Sequence, residues 1–440
     1  MSLSSGVTAL DVIRSPKRKG PERSRASWFP YYAGFSAGFV EDVIACLDLK
    51  ANAILLDPWL GAGTTSEIAT AKGYQVRGYD LNPAMLLVAR ARTLATSAAN
   101  QLDRLKDSVL RSYLKNIRTK MLDASGDPLE QWLPMRSSHA FRILERSVAE
   151  VALTRKESAA LPAWTRVDRT SALVAFFYVA LFRTLRHFLA EFQSSNPTWV
   201  KIPKEAHRIY VSPERMLHQF EREIAHLSSA LGSETRVMPL TSTAKCVINQ
   251  ASSLQLPLLS RSVDAVVSSP PYCTRIDYVR ATLPELAMIG YPDGDVIRVL
   301  REGMIGTPTV NRTQDCEDGA WGRTCLEFLR AVRRHQSKAS SSYYSKYYHQ
   351  YFSAMFASLR EIDRVLKKSG RCVLVVQDSF YKDIRNDLPS MFAEMAKGLR
   401  WCLYERVDFQ VKRTLAGINP RVRPYRNAFQ ATESALVFVK

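Results

Sequence analysis

Asp57-Pro58-Trp59-Leu60-Gly61-Ala62-Gly63-Thr64-Thr65 is the stretch that decides the fold. It joins a short apolar run, Ala53-Ile54-Leu55-Leu56, to Thr64-Thr65-Ser66-Glu67-Ile68-Ala69, which has the composition of a helix start. Glycines suit such a turn because the chain bends tightly there and a ligand can approach backbone that carries no Cβ. Gln75 to Asp80 reads as the next strand and Pro83 as the opening of another helix. The unit is therefore β-α-β with a right-handed crossover, which implies an α/β fold with a parallel sheet covered by helices on both faces. Asp80 ends the second strand in Gly78-Tyr79-Asp80-Leu81-Asn82-Pro83. A carboxylate at that place can accept hydrogen bonds from both ribose hydroxyls of an adenosine.

The alternation stops near Arg92. From there to Thr243, Gln101 to Met121, Ser171 to Phe192 and Pro213 to Leu231 carry apolar residues at helical spacing. Residues 93–243 are thus expected to form a helical insertion of about a domain's size. Its longest apolar run, Ala172 to Phe182, is too short to cross a bilayer and meets Arg183 and Arg186 directly, so it reads as a buried helix. Strands resume at Lys245 to Asn249 and Val263 to Ser268. A second irregular insertion covers 273–342, with Ser340-Ser341-Ser342-Tyr343-Tyr344 read as a loop. Tyr347 to Lys367 is a helix stopped by Ser369-Gly370, Arg371 to Gln377 a buried strand, and Glu433 to Val439 the last strand.

The sharpest chemical signal is Ser268-Ser269-Pro270-Pro271-Tyr272. It follows the strand Asp264-Ala265-Val266-Val267 and so lies at the carboxyl edge of the sheet, where open α/β sheets bind ligands. Two prolines in succession fix φ and remove two amide donors, which leaves the nearby carbonyls rigid and without competing N–H groups. With a serine oxygen they form an acceptor pair for an amino group, and Tyr272 offers a flat face for stacking a base.

The chain has 440 residues and a formal net charge of +19, which points to a polyanionic partner, most simply nucleic acid. Residues 1–27 hold Arg14, Lys17, Arg18, Lys19, Arg23 and Arg25 beside Pro16, Gly20 and Pro21, and read as a basic flexible arm, DNA-contacting or merely solvated. A second basic segment holds Lys412, Arg413, Arg421, Arg423 and Arg426 and could contact phosphates. The seven cysteines are scattered, with no Cys-x-x-Cys pair, which argues against a disulfide scaffold and a structural zinc site and for a reducing cytoplasm. The seven histidines show no paired metal spacing, so no metal is expected. The N-terminus has no apolar signal core, and no membrane association is expected.

The two loops resemble those of the DNA amino-methyltransferases, which carry an Asp-Pro-Phe-x-Gly-Ser-Gly-Thr-Thr cofactor loop and an Asp/Asn/Ser-Pro-Pro-Tyr catalytic loop. Here Trp59 stands in the aromatic place and Ala62 in the serine place. Trp28-Phe29-Pro30-Tyr31-Tyr32 resembles the family's extra cofactor-binding motif. Arg364 to Arg371 with Val373 to Ser379 resembles the helix-strand unit after the catalytic loop, and Glu433 to Phe438 the closing strand.

The resemblance implies a class I, Rossmann-like methyltransferase domain over 28–92 and 244–440, with a mixed, mainly parallel sheet. It implies S-adenosylmethionine as cofactor, held by Trp28, Phe29, Pro30, Asp57, Trp59, Gly61, Gly63, Thr64, Asp80 and Leu81. Ser269, Pro270, Pro271 and Tyr272 become the catalytic loop, and DNA with a flipped base the substrate. Pro270's carbonyl and the Ser269 side chain would accept the two amino hydrogens while the lone pair attacks the methyl, without a covalent enzyme intermediate. Cys273, next to Tyr272, is read as a wall residue.

The cofactor loop precedes the catalytic loop with a long insertion between, one of the family's permuted orders, and this assigns target recognition to one or both insertions. The family's acidic residue after the third strand is missing; Asn249-Gln250-Ala251-Ser252-Ser253 stands there. Serine at the first catalytic position favours N4 of cytosine over N6 of adenine, with a role in restriction-modification or phage defence. The competing readings are an RNA amino-methyltransferase and a catalytically silent nucleic-acid-binding protein on the same fold. The intact Gly61, Gly63, Asp80 and Ser-Pro-Pro-Tyr loop argue against the last.

Overall fold

Among the described residues the computed structural model has nine strands, several of them apolar runs bounded by turn residues. They are β1 (Ile54–Asp57), β2 (Gln75–Asp80), β3 (Cys246–Gln250), β4 (Val263–Ser268), β5 (Leu366–Gln377), β6 (Ser379–Tyr381), β7 (Ile384–Asn386), β8 (Cys402–Val411) and β9 (Ala431–Val439). The structure describes residues 13–17, 24–30, 34–119, 126–152, 162–194, 199–233, 245–310, 318–411 and 431–440. Tyr31, Tyr32, the basic segment from Lys412 to Arg426 and most of the arm over 1–27 lie outside the described residues.

Seven strands form one sheet in the order β3-β2-β1-β4-β5-β9-β8, and β6 and β7 form a separate hairpin. Pairings from β3 to β5 are parallel, while β9 lies antiparallel between β5 and β8. This is the mixed, mainly parallel, Rossmann-like sheet that the sequence implies. Side chains alternate between its faces, as a period of two demands. Leu55, Ala265, Val267, Val373 and Val375 pack under the helix Ala37–Cys46. Leu56, Val266, Cys372, Leu374 and Val376 pack against the helix Ser345–Val365. Strands buried on both faces read as continuous apolar runs, which is why they are legible in the sequence. β1 sits between β2 and β4, and the chain leaves it for opposite sides of the sheet, which opens a crevice at its carboxyl end.

The helical insertion is present as Ala99–Thr119, Met135–Ala152, Ala172–Phe188 and Pro213–Ser233. The apolar run forms the buried helix expected: Phe176, Phe177, Tyr178 and Phe182 are all 0% exposed. This helix shares one continuous core with the helix Pro83–Ala91 of the α/β unit, so the insertion is packed into the sheet's flank. Arg142 bonds Asp127 at 2.9 Å and the carbonyl of Met288 at 2.7 Å, and Arg186 pairs with Glu285, so the two insertions are tied to each other.

Three sequence expectations need correction. The stretch 273–342 is not irregular; it holds helices Tyr278–Ala281, Leu283–Met288, Asp295–Gly303 and Arg323–Arg334, the first two too short to show a repeated period. Ser340–Tyr344 is no loop but a π-helical turn running straight into Ser345–Val365. Within it Ser340 meets Tyr381, and Tyr343 donates to the Pro308 carbonyl at 2.6 Å. Of the arm's cations, Arg14, Lys17 and Arg25 lie in described positions and each has a partner in the fold, although the Arg14 side chain stays 44% exposed and that of Lys17 34%. Arg14 bonds Asp42 at 2.9 Å, Lys17 bonds Gln377 at 2.6 Å, and Arg25, 0% exposed, donates to the carbonyl of Arg92 at 2.8 Å.

Candidate active site

A cavity of about 970 Å³, counting its open mouth, lies at the carboxyl end of β1 and β4. One wall is Asp57 to Ala62 with Thr64; Asp80, Leu81 and Asn82 continue it, and Ser269 to Tyr272 faces it.

The glycine loop is shaped by backbone torsion and anchored by carboxylates. Gly61 and Gly63 take φ of +50° and +77°, in the left-handed region that favours glycine. A Cβ on Gly63 would stand 2.5 Å from that of Ala89, so this glycine admits close contact between its helix and Pro83–Ala91. The Gly61 N–H donates to Asp80 Oδ2 and the Asn82 N–H to Oδ1, both at 2.9 Å. Each Asp80 oxygen keeps a further lone pair for a ligand hydroxyl. Burial raises the pKa of Asp80, opposed by these backbone bonds.

Asp57 braces the two loops together. Ser268 Oγ donates to it at 2.5 Å, and the Trp59 N–H at 3.3 Å. Beside it Thr65 Oγ1 donates to the Val267 carbonyl at 3.1 Å. Burial pushes the Asp57 carboxyl up to about 6, against these hydrogen bonds.

In the proline loop, Ser269 Oγ donates its hydrogen to the Val375 carbonyl at 3.2 Å, which leaves its lone pairs to accept. The Pro271 carbonyl takes Tyr351 Oη at 2.8 Å and the Tyr272 carbonyl takes the Thr274 N–H at 2.8 Å. The Pro270 carbonyl accepts no hydrogen bond among the described residues. Two acceptors therefore stand open on a loop whose other groups are anchored.

Of the residues named from sequence, Asp57, Trp59, Gly61, Thr64, Asp80, Leu81 and the whole of Ser269 to Tyr272 line one cavity. Gly63 is behind the wall. Trp28 and Phe29 are not brought to it: they are 0% and 5% exposed, with Trp28 edge-on to Phe176 and Phe29 under Arg186, while Pro30 is exposed. Gly34 and Phe35, a few residues on, line the cavity instead. Cys273 is 3% exposed in the core behind the loop, not in the cavity wall, and burial pushes its thiol up, as suits an inert side chain.

The sequence reading missed the cavity's other side, formed by Tyr278, Thr282, Met304 and Ile305 of the second insertion. Asn82 Nδ2 donates to Thr282 Oγ1 at 2.7 Å, and a Cβ on Gly306 would approach the Tyr272 carbonyl to 3.3 Å. Only Gly303 and Gly306, spaced three apart, hint at this close approach in the sequence.

Among the described residues no helix is long and apolar enough to cross a membrane, and no group of His, Cys, Asp and Glu could hold a metal ion.

No family model matches the chain. It is similar to the type II methyltransferase M.BsoBI of Geobacillus stearothermophilus, 23% identical over 316 residues, which cover 66% of this chain and 57% of that protein. It is also similar to the type II methyltransferase M.AvaI of Nostoc sp., 24% identical over 312 residues, covering 65% of this chain and 58% of the relative. The chain thus spans less than two thirds of the length of these relatives. An rRNA methyltransferase, aviRa from Streptomyces viridochromogenes, superposes over 93% of this chain and 87% of its own at 10% identity with a TM-score of 0.27, too loose a likeness to bear on function.

Proposed function

We propose that the chain is an S-adenosylmethionine-dependent DNA methyltransferase acting on the exocyclic amino group of a flipped base, with N4 of cytosine as the target. The observation that carries this reading is the shared cavity: the Gly61–Asp80 wall and the open acceptors of Ser269 and Pro270 face one space. Two similar proteins named as type II methyltransferases support it, as does the net charge of +19.

S-adenosylmethionine, when bound, supplies an electrophilic methyl on a sulfonium centre. Asp80 has lone pairs left for ribose hydroxyls, and the carboxyls of Asp57 and Asp80 suit a cationic group nearby. Ser269 Oγ and the Pro270 carbonyl accept the two amino hydrogens and draw the nitrogen toward tetrahedral geometry, so that its lone pair points at the methyl carbon. Tyr272 stacks on the flipped base, and the chain holds both reactants at reacting distance. No side chain is needed as a covalent nucleophile, and the buried Cys273 fits that scheme. The second insertion, which supplies Tyr278, Thr282 and Met304 to the cavity, reads the target together with the helical insertion docked on it. Arg18, Lys19 and Arg23 of the basic arm and the basic segment from Lys412 to Arg426 contribute phosphate contacts.

Nucleoside mass spectrometry of DNA from cells expressing the protein tests the reading. N4-methylcytosine is the expected product. N6-methyladenine would move the target to adenine, and unmodified DNA with methylated RNA would move it to RNA.

A further inference from the structure

Tyr272 is not held by packing alone. Its hydroxyl donates to Glu433 Oε1 at 2.5 Å, across 161 residues of sequence. Glu433 stands near the start of β9, opposite Gln377 of β5, and its side chain is only 2% exposed. Its second oxygen, Oε2, is buried and has no hydrogen-bond partner among the described residues. A carboxylate in such a place is costly unless a cation or a strong donor compensates it. Lys17 is that cation: its Nζ lies 3.9 Å from Glu433 Oε1, 2.6 Å from Gln377 Oε1 and 5.9 Å from the centre of the Tyr272 ring. The segment that carries Lys17 is itself fixed, since the Ser36 N–H donates to the Pro16 carbonyl at 2.7 Å and Arg14 is clamped to Asp42.

We propose that Glu433 is a positioning residue for Tyr272: it holds the phenol by its hydroxyl, with Lys17 as its counter-ion, and so sets the attitude of the ring that receives the target base. The inference rests on the reading of the site given above. A carboxylate acceptor makes the bond directional and stronger than a neutral one, so the ring is fixed before a base arrives and less ordering remains to be done on binding. It also links the N-terminal segment to base capture through Lys17, a link invisible in either motif taken separately.

The test is methyl transfer from labelled S-adenosylmethionine to genomic DNA from a host lacking the protein, for wild type, Tyr272→Phe, Glu433→Gln and the double variant. Both changes conserve volume, and cofactor affinity is checked by calorimetry in each protein. Tyr272→Phe should raise KM for DNA by about tenfold, the weight of one hydrogen bond to a charged group, and Glu433→Gln by less, since a glutamine oxygen still accepts from the phenol. The fall in kcat should be smaller than the rise in KM. The double variant should be no worse than Tyr272→Phe alone, because Glu433→Gln acts only by weakening the bond that Tyr272→Phe removes. Lys17→Ala should shift KM in the same direction and by less. Additive losses in the double variant, or a wild-type KM in Glu433→Gln, would overturn the inference and leave the enzyme reading intact. A wild-type protein that transfers no methyl group would overturn the reading of the site and the inference with it.

Discussion

The two loops that face each other across the cavity reach rigidity by opposite means. The glycine loop has a shape its own chain does not enforce. Positive φ at Gly61 and Gly63 makes the turn available, and contacts from elsewhere select it: Asp80 takes the Gly61 N–H, the Tyr79 carbonyl takes the Leu60 N–H, and Ala89 lies against Gly63. The proline loop carries its constraint covalently, since Pro270 and Pro271 fix φ and donate nothing. What remains there is a pair of unclaimed acceptors on Ser269 and Pro270. Damage to the first loop should therefore appear in folding and cofactor binding, and damage to the second in chemistry.

The largest effect separating the two is expected at Ser269. Ser269→Ala should lower single-turnover methyl transfer by about a hundredfold, the scale for losing one preorganised transition-state hydrogen bond. Cofactor affinity and thermal midpoint should stay near wild type. Wild-type transfer by this variant would make the proline loop structural and erase the contrast.

Gly63→Ala tests the other side. The added Cβ meets Ala89 Cβ at 2.5 Å and Cα at 2.7 Å, in a backbone with φ of +77°. A loss of about 2–4 kcal/mol in unfolding free energy follows, from overpacking plus strain. Denaturant unfolding checks it, and an unchanged midpoint would mean that the glycine loop is not shaped by its neighbours.

Asp80→Ala sits between the two in kind. It removes the anchor of the Gly61 N–H and the proposed acceptor for the cofactor's ribose. Affinity for S-adenosylmethionine by calorimetry should fall about ten- to thirtyfold, as for one or two hydrogen bonds to a charged group. Unchanged affinity would remove Asp80 from the cofactor site.

The smallest effect concerns pH. The Asp57 carboxyl in the folded protein titrates at about 6, above its ordinary 3.8, because burial disfavours the charge. The folded state therefore binds this proton more tightly than the unfolded state. The stability it contributes is complete below about 3.8 and is lost as pH rises through about 6. Asp57→Asn carries no charge at any pH, so its thermal midpoint relative to wild type should climb between pH 4 and 6 and level off above. A difference that does not vary with pH would show that Asp57 titrates normally.

Much of this was written locally in the chain. The strands at Gln75–Asp80 and Val263–Ser268 appear where the apolar runs place them, and the helix Ala172–Phe188 appears where the longest run lies. Both motif loops fall at the carboxyl ends of strands, because burial on both faces makes a strand a continuous apolar run and turn chemistry marks its end. The helices Tyr278–Ala281 and Leu283–Met288 are too short to show a repeated period, whereas Arg323–Arg334 carries one, Cys325, Phe328, Leu329 and Val332, that the sequence reading passed over. The edge strand β8 was not legible, since only alternate residues of its later half are even partly covered. Sequence alone therefore determined the α/β sheet, its two chemical loops and the buried helix, all set by the spacing of neighbouring residues. Tertiary structure alone decided that Trp28 and Phe29 enter the core while Phe35 faces the cavity, that Ser268 meets Asp57 across 211 residues, and that Glu433 meets Tyr272 across 161. The physical reason is that a lone polar residue carries no periodic signal; its partner is fixed only when strands distant in sequence pair side by side and burial forces each remaining polar group to find another.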